Sequence, residues 1–274
     1  MAREVLARTE SLGSDNPQVL RCLNNLAFEQ RGLEQFEAAE ATDRLVLTRR
    51  RILLGDEHPH TAKSMANLAH VLRLRGKLQE AASLQRQALE VRKRIYGHDY
   101  VNILVSMCNL ALVWQDQGRL EEAEDTYRAA LGIHQKRPVL EGDTNQVFTW
   151  QCLMSVLKRQ GRFSEAEEES CKAIKVSKRM FGGGNRETLK LSGSLADIYA
   201  SQGRVEEAHT LACEIAQKMA EALGSAHPDT LVCRSTLARI YSLRKEWESA
   251  RKTIALVLVF RLSDQGWNSP HVAG

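Results

Sequence analysis

Residues 59–96 read PHTAKSMANLAHVLRLRGKLQEAASLQRQALEVRKRIY, and this stretch decides the fold. Ala62, Met65, Leu68, Ala69 and Leu72 recur at i, i+3, i+6, i+7 and i+10, the stripe of an amphipathic helix, and the pattern stops at Gly76. A second stripe restarts with Leu78, Ala81, Leu84, Ala88 and Val91. Pro59 suits the first turn of a helix, where its missing N–H leaves no partner unmatched. The spacing therefore predicts two helices joined by a short glycine turn.

The same pair recurs along the chain. A bulky apolar residue three positions before an alanine appears as Phe36/Ala39, Leu78/Ala81, Leu120/Ala123, Phe163/Ala166, Val205/Ala208 and Trp247/Ala250, and the alanines step by 42, 42, 43, 42 and 42. Twelve residues upstream, a leucine and a small residue keep step as Leu26-Ala27, Leu68-Ala69, Leu110-Ala111, Leu195-Ala196 and Leu237-Ala238, with Leu153-Met154 as the exception. One residue is therefore inserted, within 137–146. Looser or locally adjusted packing is expected around Met154, with Trp150 as compensation. Glycine fills the turn at Gly76, Gly118, Gly161 and Gly203, and Glu34 and Lys245 replace it in the outer units. Pro17, Pro59 and Pro228 share one column. Acidic residues such as Glu80, Glu121, Glu165 and Glu206 gather at the start of the second helix, and basic ones such as Arg49, Arg50, Arg51 and Arg92, Lys93, Arg94 at its end. That order complements the helix dipole, so these runs are read as helix-end charges and not as a nucleic-acid or membrane surface.

Composition fits this picture. The 274 residues are 43% hydrophobic and 26% charged, with a net charge of +4, so the chain can bury apolar surface and is not of the disordered type. Only 5% are aromatic. Paired alanines account for that, because they let helices approach to the short end of the usual separation and fill space by closeness. The longest purely apolar run, Ile254 to Phe260, is far short of the roughly 20 residues of a spanning helix. The first residues lack the apolar core of a secretion signal, and a cytoplasmic location is expected. Six cysteines lie far apart with no C-x-x-C, which suggests buried thiols instead of a zinc site or disulfide framework.

A helix pair with a small residue in the first helix, glycine at the turn and alanine twelve residues after the small one resembles the tetratricopeptide repeat. The 42-residue period and the joining segments Gly55-Asp56-Glu57-His58-Pro59-His60-Thr61 and Gly224-Ser225-Ala226-His227-Pro228-Asp229-Thr230 are similar to kinesin light chains. They are equally similar to the repeat sensor regions of fungal and bacterial nucleotide-binding signalling receptors. The resemblance implies an all-α, right-handed superhelical solenoid of about six tandem helix-turn-helix repeats over 12–262. A partial helix of an incomplete repeat over 1–11 and a flexible tail over 263–274 complete the expected organisation.

In that family the first helices line the inner surface, and an asparagine two residues before the small one often bonds the backbone of an extended peptide. This column holds Asn25, Asn67 and Asn109, then Cys152, Ser194 and Thr236. Neighbouring inner columns add Arg21, Lys63, Arg31, Arg73 and His70. Amides pair with peptide backbone and cations with carboxylates. The expectation is a non-catalytic scaffold whose groove binds an acidic protein or peptide segment, with no cofactor, nucleic acid or membrane. The plainer reading makes the asparagines bridges between neighbouring helices. Self-assembly is the alternative of another class, because Ile254 to Phe260 is apolar nearly all round; a role as the sensor part of a larger receptor is a further one. His58-Pro59-His60 is read as a turn and not as a metal site, Gly182-Gly183-Gly184 lacks the G-K-[ST] ending of a phosphate loop, and no hydrolase or metalloprotease motif is present.

Overall fold

The computed structural model describes residues 16–96, 100–135 and 144–266. Among them are twelve helices and no strand: α1 (Pro17–Gly32), α2 (Phe36–Leu54), α3 (Pro59–Leu74), α4 (Leu78–Tyr96), α5 (Tyr100–Asp116), α6 (Leu120–Gln135), α7 (Thr144–Arg159), α8 (Phe163–Phe181), α9 (Arg186–Ser201), α10 (Val205–Leu223), α11 (Pro228–Leu243) and α12 (Trp247–Gly266). They form six tandem helix-turn-helix pairs. The chain divides into two compact units, one up to Ile133 and one from His134. The partial helix expected over 1–11 lies outside the described residues, and so does most of the insertion region. α12 continues through Gly266, so the tail expected from Ser263 begins inside a helix.

Each repeat starts and turns by one chemistry. The residue before four of the first helices, α1, α3, α9 and α11, is an N-cap. Asn16 Oδ1 accepts from the Gln18 N–H at 2.8 Å and Asn185 Oδ1 from Glu187 at 2.9 Å; His58 and His227 use Nδ1 to accept from His60 and Asp229 at 3.1 and 3.2 Å. These side chains satisfy N–H groups that the first helical turn leaves free. At the turn, the same bond spans five residues in all six pairs, from Gln35 N to Gln30 O through to Glu246 N to Tyr241 O, at 2.8–2.9 Å in those two. It closes only over a residue in the left-handed region, supplied by Gly76, Gly118, Gly161 and Gly203 at φ of 73–79°. Glu34 and Lys245 adopt it without being glycine.

Packing follows the alanines. Ala27, Ala69, Ala111, Ala196 and Ala238 of the first helices and Ala39, Ala81, Ala123, Ala166, Ala208 and Ala250 of the second are each no more than 4% exposed. In the first unit, Met65, Leu68, Leu72, Leu84 and Val91 pack around them, and in the second, Ile215, Met219, Leu237 and Ile240. At Met154 the packing is locally adjusted and not looser. Its side chain is buried against Ser170, which stands where Tyr127 stands one repeat earlier, so a long residue on α7 meets a short one on α8. Trp150 is also buried.

The basic runs divide in two. Arg51 pairs with Asp56 at 2.7 Å near the surface, as a helix-end charge would. Arg50 is instead buried and donates to His60 O at 3.1 Å and Ser64 Oγ at 2.7 Å, and Arg92 makes the equivalent bond to Ser106 one repeat later. The middle arginine clamps the next first helix because a long stem and a forked head span the seam and satisfy buried oxygens. No helix among the described residues is long and apolar enough to cross a membrane.

Candidate functional site

The residues expected to form one groove fall into three groups. Arg21 and Asn25 on α1 and Lys63 on α3 line an open cavity of about 930 Å³ in the first unit, together with Leu20, the α2 end at Leu53 and Leu54, and the joint at His58 and His60. Neither Arg21 nor Lys63 makes a hydrogen bond or ion pair among the described residues, and no carboxylate lines the cavity. Burial, together with the positive charges of Arg50, His58 and Lys63, holds the His60 imidazole below the ordinary histidine range. Leu53 and Leu54 are 44% and 42% exposed, so an apolar wall sits beside the cations.

The second group is engaged inside the protein. Arg31 pairs with the fully buried Asp43 at 2.7 Å, and its guanidinium lies over the Phe28 ring. Arg73 on α3 reaches Asp116 on α5 at 2.7 Å. Asn67 donates to Asn24 Oδ1 at 3.4 Å, a bridge between α3 and α1. These three link helices, and the Asn67 bond is a bridge of the kind that the plainer reading gives the asparagines. The third group, His70 and Asn109, meets Arg73 at a small cavity of about 10 Å³ between α3, α4 and α5. Desolvation and the charges of Arg73 and Arg31 lower the His70 pKa.

The sequence treats these cations as equals because it shows columns and not partners. Arg31 and Arg73 have carboxylates twelve residues away or one period on. Arg21 and Lys63 do not. The leucines of the cavity wall were missed as well, although the run Ile52-Leu53-Leu54 at a helix end was visible. In the second unit a cleft of about 300 Å³ runs along α7, α9 and α11, and its charges are all matched. Lys158 and Arg239 both bond Asp197, Lys190 meets Glu187 at 3.3 Å, and Asp229 is held by Arg186. Among the described residues no group of His, Cys, Asp and Glu is placed to hold a metal ion. His58 and His60 serve as cap and first-turn residue.

Stacked helix pairs, each with an alanine seam and a left-handed turn, define a helical-repeat protein. The tetratricopeptide repeat family models match residues 30–94, 61–136 and 188–229, and the chain belongs to that family. No curated protein sequence matches it. Among solved structures, the nearly identical TPR-like repeats assigned to a kinesin light chain of Podosopora anserina are 24% identical with a TM-score of 0.59, covering 76% of this chain and 99% of that one. A STAND protein of Pyrococcus horikoshii with a tetratricopeptide repeat sensor is 16% identical with a TM-score of 0.61, over 91% of this chain and 36% of that one. A Rap protein complexed with Competence and Sporulation Factor is 14% identical with a TM-score of 0.63, over 95% and 79%. At these identities the likeness concerns the fold.

Proposed function

We propose that the chain is a non-catalytic binding scaffold whose first unit takes an extended acidic segment of a partner protein at the cavity between α1 and α3. One observation carries the reading: of the basic residues on this face, Arg21 and Lys63 have no partner among the described residues and converge with Asn25 on one open cavity that no described carboxylate lines. An unpaired cation keeps its full capacity for a charge-assisted bond, whereas Arg31 and Arg73 would first have to leave their own carboxylates. Among the similar folds, the Rap protein was solved as a complex with a factor, which gives precedent for ligand binding on this architecture. The test is fluorescence anisotropy of a labelled Glu-rich peptide at low and high salt. Reversal of both charges, Arg21→Glu with Lys63→Glu, is expected to weaken binding at low salt at least about tenfold, since each charge-assisted bond contributes about 1.5–3 kcal/mol. Binding that ignores salt and tolerates the double reversal would sink the acidic-ligand reading.

A second reading, self-association, is favoured by α12. Leu256 and Val259 are 41% and 61% exposed; the Leu256 column holds Leu45, Gln87, Ala129, Lys172 and Glu214 in the other repeats, and the Val259 column holds Thr48, Glu90, Gly132, Lys175 and Gln217. Two exposed apolar residues one helical turn apart, where the second, fourth and fifth repeats carry polar pairs, suit a partner surface.

A further inference from the structure

The first two repeats solve one problem in different ways. Arg31 and Asp43, twelve residues apart, have Arg73 and Gln85 as their repeat counterparts. In the first repeat the two side chains meet directly at 2.7 Å. In the second the carboxylate is replaced by an amide, and Arg73 turns to Asp116 on the next first helix. Gln85, on α4, is only 2% exposed, and its Oε1 finds no donor among the protein groups. A buried amide oxygen without a donor is disfavoured, because it loses its hydration without replacement.

The surroundings supply what that oxygen lacks. The cavity of about 10 Å³ beside it is bounded by His70 and Arg73 from α3, Gln85 from α4 and Asn109 from α5. That is room for about one water molecule, and a buried water needs two to four polar partners. We infer that this cavity is a built binding site for a single water, which donates to Gln85 Oε1 and is held by the amide, imidazole and guanidinium groups of Asn109, His70 and Arg73. The water does in the second repeat what the direct charge pair does in the first: it ties the second helix to the first-helix face. Asn109 and His70 are then positioning residues facing an internal ligand. The inference stands whether or not the cavity at Arg21 and Lys63 takes a peptide.

The test has two arms. A high-resolution crystal structure of the whole chain is expected to show a water within hydrogen-bond reach of Gln85 Oε1 and of at least one of Asn109, His70 and Arg73. In solution, oxygen-17 relaxation dispersion should count one long-lived water fewer in Gln85→Met than in the parent, with unchanged helix content by circular dichroism. Methionine fills similar space and asks for no donor. A protein side chain donating directly to Gln85 Oε1 in the crystal, or no water there, overturns the inference. So does an unchanged count of long-lived waters in the folded variant. Should Gln85→Met fail to fold, the crystal of the parent decides alone.

Discussion

Glu34 and Lys245 hold φ of 57° and 63° at the turn where the other four repeats place glycine. A side chain in that region costs about 1–2 kcal/mol, partly offset by the greater freedom that glycine loses on folding. Neither residue makes an ion pair among the described residues, so replacing it removes strain and little else. Glu34→Gly and Lys245→Gly are each expected to raise the unfolding free energy by about 0.5–1 kcal/mol in urea denaturation. A loss of stability in both would show that these turns are not strained. The glycine column and its two exceptions were legible in the sequence; the sign of φ was legible only through the column, since four glycines in register imply a conformation that two other residues must then share. The Met154 and Ser170 exchange was hidden for the opposite reason. Met154 reads as a defect until its facing residue, sixteen positions away, is read with it.

Between elements, two acidic residues on α2 respond to pH in opposite directions. Glu40 joins α2 to the following repeat through Lys77 at 2.9 Å, Arg75 at 2.5 Å and, on its own helix, Arg44 at 2.9 Å. Burial would raise its pKa, but hydrogen bonds from Lys77, Arg44 and Arg75 outweigh it and bring it down to about 2 from 4.5. The unfolded chain then binds more protons between those values, so this contribution is complete above about pH 4.5 and is lost as pH falls towards 2. For Asp43, desolvation outweighs Arg31 and Arg50 and raises the pKa from 3.8 to about 6. Here the folded state binds more protons, and stability falls as pH rises from 3.8 to about 6. Thermal melts across pH are expected to show Asp43→Asn flattening the loss between pH 4 and 6, while Glu40→Gln removes about 1–2 kcal/mol at neutral pH, discounted for solvent screening, and converges with the parent near pH 2. A parent curve that keeps rising through pH 6 with no difference in Asp43→Asn contradicts the buried-carboxylate account. Helix positions and their first-turn prolines were legible, but the choice of charge partners was not. Arg31, Arg50 and Arg73 look alike in a column, and only the seam geometry separates a groove cation from a clamp.

At the scale of the whole chain, the period specified the number and order of helix pairs because each pair repeats one local solution of cap, alanine seam and left-handed turn. It could not specify which surfaces stay unmatched, since that depends on departures from the repeat. Two departures stand out: the cavity at Arg21 and Lys63, lined by no carboxylate among the described residues, and the outer face of α12. On α12, Leu258 is 52% exposed, although Leu47, Leu89, Leu131 and Ala216 of its column are buried at 4–8% and Ile174 is half-buried, and Leu256 and Val259 extend apolar surface onto a face that the second, fourth and fifth repeats keep polar. A single further helix placed as in the other repeats would cover Leu258 but not that second face, whereas a second copy of α12 packed against the first could bury both. Covering a leucine or valine contributes about 1.5–3 kcal/mol when burial is complete, and a twofold interface counts each residue twice. Sedimentation velocity over a concentration series is therefore expected to show the parent moving from monomer towards dimer, while Leu256→Glu with Val259→Glu stays monomeric with unchanged helix content and unchanged binding of the Glu-rich peptide. A parent that remains monomeric at the highest concentration rejects self-association through α12 and leaves its apolar face to a different protein, without touching the cavity at the other end of the sequence.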